Sequence, residues 1–240
     1  MQILSWRRLQ MENAKKIEFL QKFFSYSIDD EMNKLILMGR AFDIKKEAES
    51  YLNNILEIPL DEFVSFIMQH IPREYILAAD TFQFSDFEDA TINVCNVIDT
   101  LGNNGVAFKE IGIKLLNDQG KRKDLALRKY GENHLKAAML LGLVFKGDNR
   151  LYYLSAVGGV FKEATKDYRE KLLCRLVIRN KLIRQIISKA SQGEFELETF
   201  LYDLSESTYI RRKPNIKYVL EILRGCDEYD FTNILDNISY

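Results

Sequence analysis

Phe108-Lys-Glu-Ile-Gly-Ile-Lys-Leu-Leu116, Gly120-Lys-Arg-Lys-Asp-Leu-Ala-Leu-Arg-Lys-Tyr-Gly131 and Glu132-Asn-His-Leu-Lys-Ala-Ala-Met-Leu-Leu-Gly-Leu-Val144 are three consecutive stretches that decide the fold. The first is short and apolar at Ile111, Ile113, Leu115 and Leu116, as a helix with a buried side requires. The second is a very basic connector. The third is apolar at Leu135, Ala138 and Met139 on a helical spacing, and Gly142 closes it. Val144-Phe-Lys146 and Leu151-Tyr-Tyr-Leu154 then predict two strands, with Gly147-Asp-Asn149 as the hairpin turn. Helix, turn, helix and hairpin is the order of a winged helix-turn-helix.

The same order returns further on. Residues 159–190 predict one or two helices with nine cations: Lys162, Lys166, Arg169, Lys171, Arg175, Arg179, Lys181, Arg184 and Lys189. These cations either face water on a structural helix or extend a binding footprint. Ser191-Gln-Gly193 ends the run, and Glu194 to Leu204 is a further short helix. Ser205-Glu-Ser207 is a turn into a third, amphipathic helix that carries Arg211-Arg-Lys213 near its start and ends at Arg224-Gly225. Pro214 in that helix either starts a new helix or kinks the old one. Any wing of this second unit has to come from Asp227 to Tyr240. The repeat is one of architecture, not of sequence identity.

Ahead of both units, residues 1–79 predict helices throughout: Met11–Phe24, Glu31–Phe42, Asp43–Leu56 and Asp61–His70, with Pro59 and Pro72 as punctuation. Residues 80–90 predict a loop into a helix from Ile92 to Leu101, capped by Asp89 or Thr91, and Gly102-Asn-Asn-Gly105 is a strong turn. The expected fold is mainly α. It has an acidic helical N-terminal segment (1–79), a first winged helix-turn-helix (80–158), and a linker helix with a second winged helix-turn-helix (159–240).

A chain of 240 residues, 47% of them apolar, can bury a core and hold two small domains. Its net charge of −1 conceals an asymmetry. Residues 1–100 carry ten Lys/Arg against seventeen Asp/Glu, residues 101–225 twenty-four against fourteen, and residues 226–240 none against four. A basic middle suits a phosphate backbone, which needs cations on one local surface. It also suits pairing with an acidic partner or with the acidic ends.

Cys95, Cys174 and Cys226 are odd in number and widely spaced, and predict reduced core thiols in a cytoplasmic protein. With His70 and His134 the only histidines, no His-rich metal site is expected, and no cofactor is implied. Trp6-Arg7-Arg8 is followed by polar residues rather than by the apolar run of a signal peptide. No apolar stretch has the length of a membrane span. Neither a Gly-rich phosphate loop with Lys-Ser/Thr nor a Gly-x-Ser-x-Gly elbow occurs. Asp with Glu-x-Lys pairs, which would hold Mg²⁺ in a nuclease, do not fall on adjoining strands. No catalytic residue is expected.

Two stretches carry a family resemblance. One is Gly131 to Val144 followed by Leu151-Tyr-Tyr-Leu-Ser-Ala-Val-Gly158. The other is Leu204-Ser-Glu-Ser-Thr-Tyr-Ile-Arg-Arg212 with Ile216, Val219 and Leu220 behind it. Together they resemble the tandem winged-helix module of prokaryotic restriction-modification proteins of the type II restriction endonuclease kind, often fused ahead of a nuclease domain. The likeness covers roughly residues 90–225. The chain departs from it in a longer, more basic connector at 117–130 and in Pro214. The resemblance implies binding of double-stranded DNA in a restriction or phage-defence setting.

A winged helix places the start of its third helix in the major groove. In the first unit this selects Glu132, Asn133, His134 and Lys136, with Asn133 suited to adenine. Lys121, Arg122, Lys123, Arg128 and Lys129 would meet phosphates, and Arg150 the backbone or minor groove. His134 has a surface role as its alternative. In the second unit Ser207, Thr208 and Tyr209 open the helix towards a phosphate, and Arg211, Arg212, Lys213 and Lys217 read or clamp. The expected partners are double-stranded DNA, a nuclease or other subunit held by residues 1–90, and a second copy in a homodimer. The competing reading is an adaptor that binds protein and little DNA.

Overall fold

The computed structural model describes the backbone of residues 2–39, 41–102, 104–202 and 204–240, and side chains of 13–39, 44–102, 104–202 and 204–240. Asn103 of the expected turn, and the side chains of Trp6, Arg7, Arg8 and Asp43, lie outside these residues. The described chain is mainly helical, with two two-stranded sheets.

Four helices open it: α1 (Gln2–Phe24), α2 (Ser27–Leu37), α3 (Ala41–Glu57) and α4 (Leu60–His70). Phe23 and Phe24 of α1 meet Phe63 and Phe66 of α4, with Phe24 stacked on Phe66 at 5.3 Å and Phe23 edge-on to Phe63 at 5.5 Å. Aromatic rings at such spacings are strong contributors to a core. A π-helical turn (Asp89–Asn93) then leads into α5 (Val94–Leu101).

Next come α6 (Phe108–Leu115), α7 (Asp124–Leu140), β1 (Val144–Lys146) and β2 (Tyr152–Leu154). The strands form an antiparallel hairpin with Val144 opposite Leu154, and Val106 adds a one-residue antiparallel bridge to Tyr152. The hairpin matches the sequence reading; α7 does not. It begins eight residues before Glu132, so Arg128 and Lys129 are helical and the connector is shorter than expected. Gly131 lies within the helix because α6 and α7 cross there. A Cβ on Gly131 would sit 1.9 Å from the Phe108 carbonyl oxygen, and one on Gly112 would sit 1.9 Å from that of Leu127.

The run 159–190 resolves into α8 (Ala156–Glu163), α9 (Lys166–Arg179) and α10 (Lys181–Ala190). Three of its cations neither face water nor extend a surface: Arg175, Arg179 and Arg184 are buried. Each reaches the C-terminal end of another helix. Arg175 donates to the carbonyls of Ile55 and Leu56 in the last turn of α3 and of Ile58 just after it, and pairs with Glu228 at 2.6 Å. Arg179 pairs with Asp29 and donates to Leu141 O after α7. Arg184 donates to Phe24 O at the end of α1 and pairs with Glu74. A helix leaves its last carbonyls unmet and carries partial negative charge there, and a guanidinium with five donors answers both.

The chain closes with β3 (Phe195–Glu196), α11 (Leu197–Phe200), α12 (Glu206–Arg224), α13 (Thr232–Leu235) and β4 (Ile238–Ser239). Pro214 lies inside a continuous α12, anchored on both sides of the proline by buried Tyr209, Ile216, Val219 and Leu220. Among the described residues no hairpin follows α12; β4 instead pairs parallel with β3, Phe195 opposite Ile238. Cys174 of α9 and Cys226 after α12 are joined as a disulfide across a Cα separation of 6.6 Å, against the expectation of three reduced thiols. The two meet because α9 and α12 pack together. Cys95 is the free thiol, and burial pushes it up to about 12. One continuous hydrophobic core runs from Leu20 to Ile238, so segments 1–79, 80–158 and 159–240 share it. No described helix is long and apolar enough to cross a membrane.

Candidate nucleic-acid interface

The packing of α7 decides which of its side chains can meet a partner. Leu127, Gly131, His134, Leu135, Ala137 and Ala138 turn inward. Leu125, Arg128, Lys129 and Lys136 are exposed, while Glu132 and Asn133 are half-buried. Lys136 Nζ lies 2.6 Å and Lys129 Nζ 3.4 Å from the Glu132 carboxylate, whose pKa is lowered first by the Lys136 hydrogen bond. The Asn133 amide makes no hydrogen bond among the described residues and stays available.

His134 is not part of this surface. It is 1% exposed. Its Nδ1 lies 2.7 Å from Tyr130 O, and its Nε2 lies 3.4 Å from the backbone N of both Ser85 and Asp86. With the Nδ1 proton donated to Tyr130 O, Nε2 accepts from the two N–H groups, which assigns the neutral tautomer. Burial lowers the His134 pKa, against the Tyr130 carbonyl, Asp89 and Asp86. The position after Asn133 suggested exposure only while the helix was taken to start at Glu132.

The connector and hairpin bring most of the expected phosphate contacts to one end. Lys121, Arg122, Lys123, Arg128 and Arg150 are exposed. Of these only Arg122 has an ion pair among the described residues, to Asp118 at 3.9 Å. Arg128 and Arg150 share a 610 Å³ cleft with Lys109 and Lys146, between the starts of α6 and α7 and the hairpin. Lys109 is paired with Asp124 at 2.6 Å. Sequence reasoning passed over Lys109 and Lys146. Their signal was placement: one in the first turn of α6, the other last in its strand before the turn.

In the second unit the expected residues divide. Ser207 is exposed, Thr208 is half-buried, and Ser205 at the N-cap turns its hydroxyl to Thr208 Oγ1 at 2.9 Å rather than to a backbone N–H. Tyr209 is buried and does not present its hydroxyl outward, which corrects its expected phosphate role; its place on the inner stripe with Ile216 is the cause. Lys213 lies over the Tyr209 ring and Lys217 over the Tyr240 ring, 5.6 and 3.9 Å from the centroids. Arg211 is exposed and bends back to Ser207 O at 2.9 Å. Arg212 is half-buried.

Residues 84–89 link the two helices. Asn215 Nδ2 of α12 donates to Phe84 O at 2.8 Å, and Phe84 and Phe87 lie against the Tyr218 ring. On the α7 side the same loop meets His134, and Tyr130 donates to Asp89 Oδ2 at 2.6 Å. Burial first and then Asp89 push the Tyr130 pKa up to about 12. Nothing in the sequence marked this loop as a spacer.

Chemically the arrangement offers exposed cations and amides for an anionic polymer. Among the described residues no group of three or more His, Cys, Asp or Glu could hold a metal ion. No family model matches the chain, and no curated protein or solved structure matches it.

Proposed function

We propose that the protein binds double-stranded DNA through a winged helix followed by a second helix-turn-helix unit without a wing, and serves as the recognition or regulatory component of a restriction or phage-defence system. The observation that carries the reading is a set of exposed cations without an ion pair among the described residues: Arg128 and Arg150 in the cleft between the start of α7 and the hairpin, and Lys121 and Lys123 in the connector just ahead of α7. In this reading α5, the Val106 bridge, α6, α7 and the hairpin form the first winged helix. Its third helix presents Arg128 from its first turns, with Asn133 and Lys136 further along, and its connector and wing meet phosphates. The second unit has α10, α11 and α12 in the corresponding order but ends in the β3–β4 pair instead of a wing. The restriction or phage-defence setting rests on the sequence resemblance. The test is binding to a random-sequence duplex of about 30 base pairs at several salt concentrations. Affinity that falls steeply with salt supports phosphate contact, with a slope set by the number of contacts. Absence of binding at low salt overturns the reading.

A second reading, a protein-binding adaptor, is favoured by Met38, 72% exposed, with Leu37 and Met68 also in solvent on the N-terminal helices. It expects a stoichiometric protein complex through residues 1–90 and no salt-dependent DNA binding.

A further inference from the structure

Arg212 differs from the three buried arginines. Arg175, Arg179 and Arg184 are each met by carbonyls or carboxylates, although Nε of Arg179 is itself buried without a partner. Arg212 is half-buried, its Nε is closed off from solvent, and it has no hydrogen bond or ion pair among the described residues. Burial and then Arg211 disfavour its charge, and Glu132 across on α7 favours it. Glu132 is already engaged by Lys129 and Lys136. A guanidinium does not shed its proton in a protein. Half-burying one without a partner beside a like charge therefore costs stability. Such a departure from good packing is expected where a ligand completes the arrangement.

The surroundings hold Arg212 in place. One turn further on, Asn215 is bonded to Phe84, and the loop it meets is bonded in turn to α7 through His134 and Tyr130. Lys129 and Lys136 of α7 hold the Glu132 carboxylate, and Arg212 of α12 lies within reach of its charge. We propose that Arg212 anchors a phosphate site where α12 and α7 are joined by residues 84–89: one backbone phosphate meets the outer nitrogens of its guanidinium, which are not closed off as Nε is, and sets both helices on the same duplex. This rests on the DNA-binding reading for its natural ligand; free phosphate has the same chemistry.

The test compares wild type with Arg212→Gln, which keeps the side chain as a polar group out to the position of Nε and removes the charge. Without DNA, Arg212→Gln melts at the same temperature as wild type or higher, because an unmet cation is gone. Its duplex affinity falls about tenfold, and the slope of log affinity against log salt becomes shallower by about one. A lower melting temperature would make Arg212 a structural residue and overturn the proposal. Unchanged duplex binding would overturn it while leaving the DNA reading intact. If wild type binds no duplex, inorganic phosphate decides. A rise in melting temperature for wild type but not for Arg212→Gln keeps the site with free phosphate as its source; an equal or absent response removes it.

Discussion

Arg179 Nη1 lies 3.0 Å from Asp29 Oδ1 and 2.9 Å from Oδ2, with both residues buried. The guanidinium also lies 4.1 Å from the Tyr26 ring centroid and 4.8 Å from that of Phe23. The pair ties α9 to the N-terminal helices at the point where α7 ends. A buried ion pair gains little over an apolar pair, but removing one partner leaves a charge in the core. Arg179→Met should therefore destabilise the fold by about 3–5 kcal/mol. Adding Asp29→Asn should return part of the loss. Urea unfolding of the two single variants and the double variant checks this; additive losses would show that the two residues are not coupled.

Gly131 and Gly159 give a prediction of opposite signs. Alanine in place of a helical glycine ordinarily stabilises by about 1 kcal/mol. Gly159 has nothing within 4 Å of an added Cβ, so Gly159→Ala should show that gain. At Gly131 the Cβ meets the backbone of α6, and overpacking of this kind costs roughly 1–3 kcal/mol. Gly131→Ala should lower the denaturation midpoint while Gly159→Ala raises it. A stabilised Gly131→Ala would mean that α6 and α7 are further apart.

These glycines also mark what the sequence could tell. The hairpin, the start of α12 and the ends of α4 and α5 were legible because their signals are local: turn residues, caps and prolines. Gly131 looked like a boundary because its reason is another helix. Arg175 and Arg179 looked like surface charges. They stand at helical spacing with Leu172, Leu176 and Ile183, on a stripe otherwise apolar, which was a usable sign of burial. No local signal could announce the β3–β4 pairing or the disulfide, which join distant residues. Of the candidate interface, the exposed connector and hairpin cations were legible; the burial of His134 was obscured by an error in the start of α7, and that of Tyr209 follows from its phase with Ile216 along α12.

His134 should make stability depend on pH. Its folded pKa lies below its ordinary value, chiefly because it is buried. The unfolded chain therefore takes up the proton first as pH falls. The contribution of neutral His134 is complete above about pH 6.5 and is lost as pH falls through the depressed folded value. Protonation puts a proton on Nε2, opposed to the N–H groups of Ser85 and Asp86, so the loop between α7 and α12 loosens. Unfolding midpoints of wild type should fall as pH is lowered from about 7 to about 5. Those of His134→Gln should be lower at neutral pH and change less over that range. Parallel curves for the two proteins would remove His134 as the titrating group.

The Cys174–Cys226 bond closes 52 residues of chain, from α9 to the end of α12. Loop-closure entropy for that separation corresponds to about 4 kcal/mol. In denaturant without reductant the protein should therefore expose one reactive thiol, Cys95, and three after reduction. Reduction should lower the unfolding midpoint of wild type and leave that of Cys226→Ser unchanged. The fold itself should persist after reduction. The segment beyond α12 is also held by Arg175 to Glu228, by Arg224 Nη1 to Asp236 at 2.8 Å, and by the pairing of β4 with β3. Circular dichroism of the reduced protein should accordingly retain its helical signal at room temperature, with only the melting temperature lowered. Three thiols before reduction would show that the two cysteines stand as neighbouring thiols, and the difference between wild type and Cys226→Ser should then vanish.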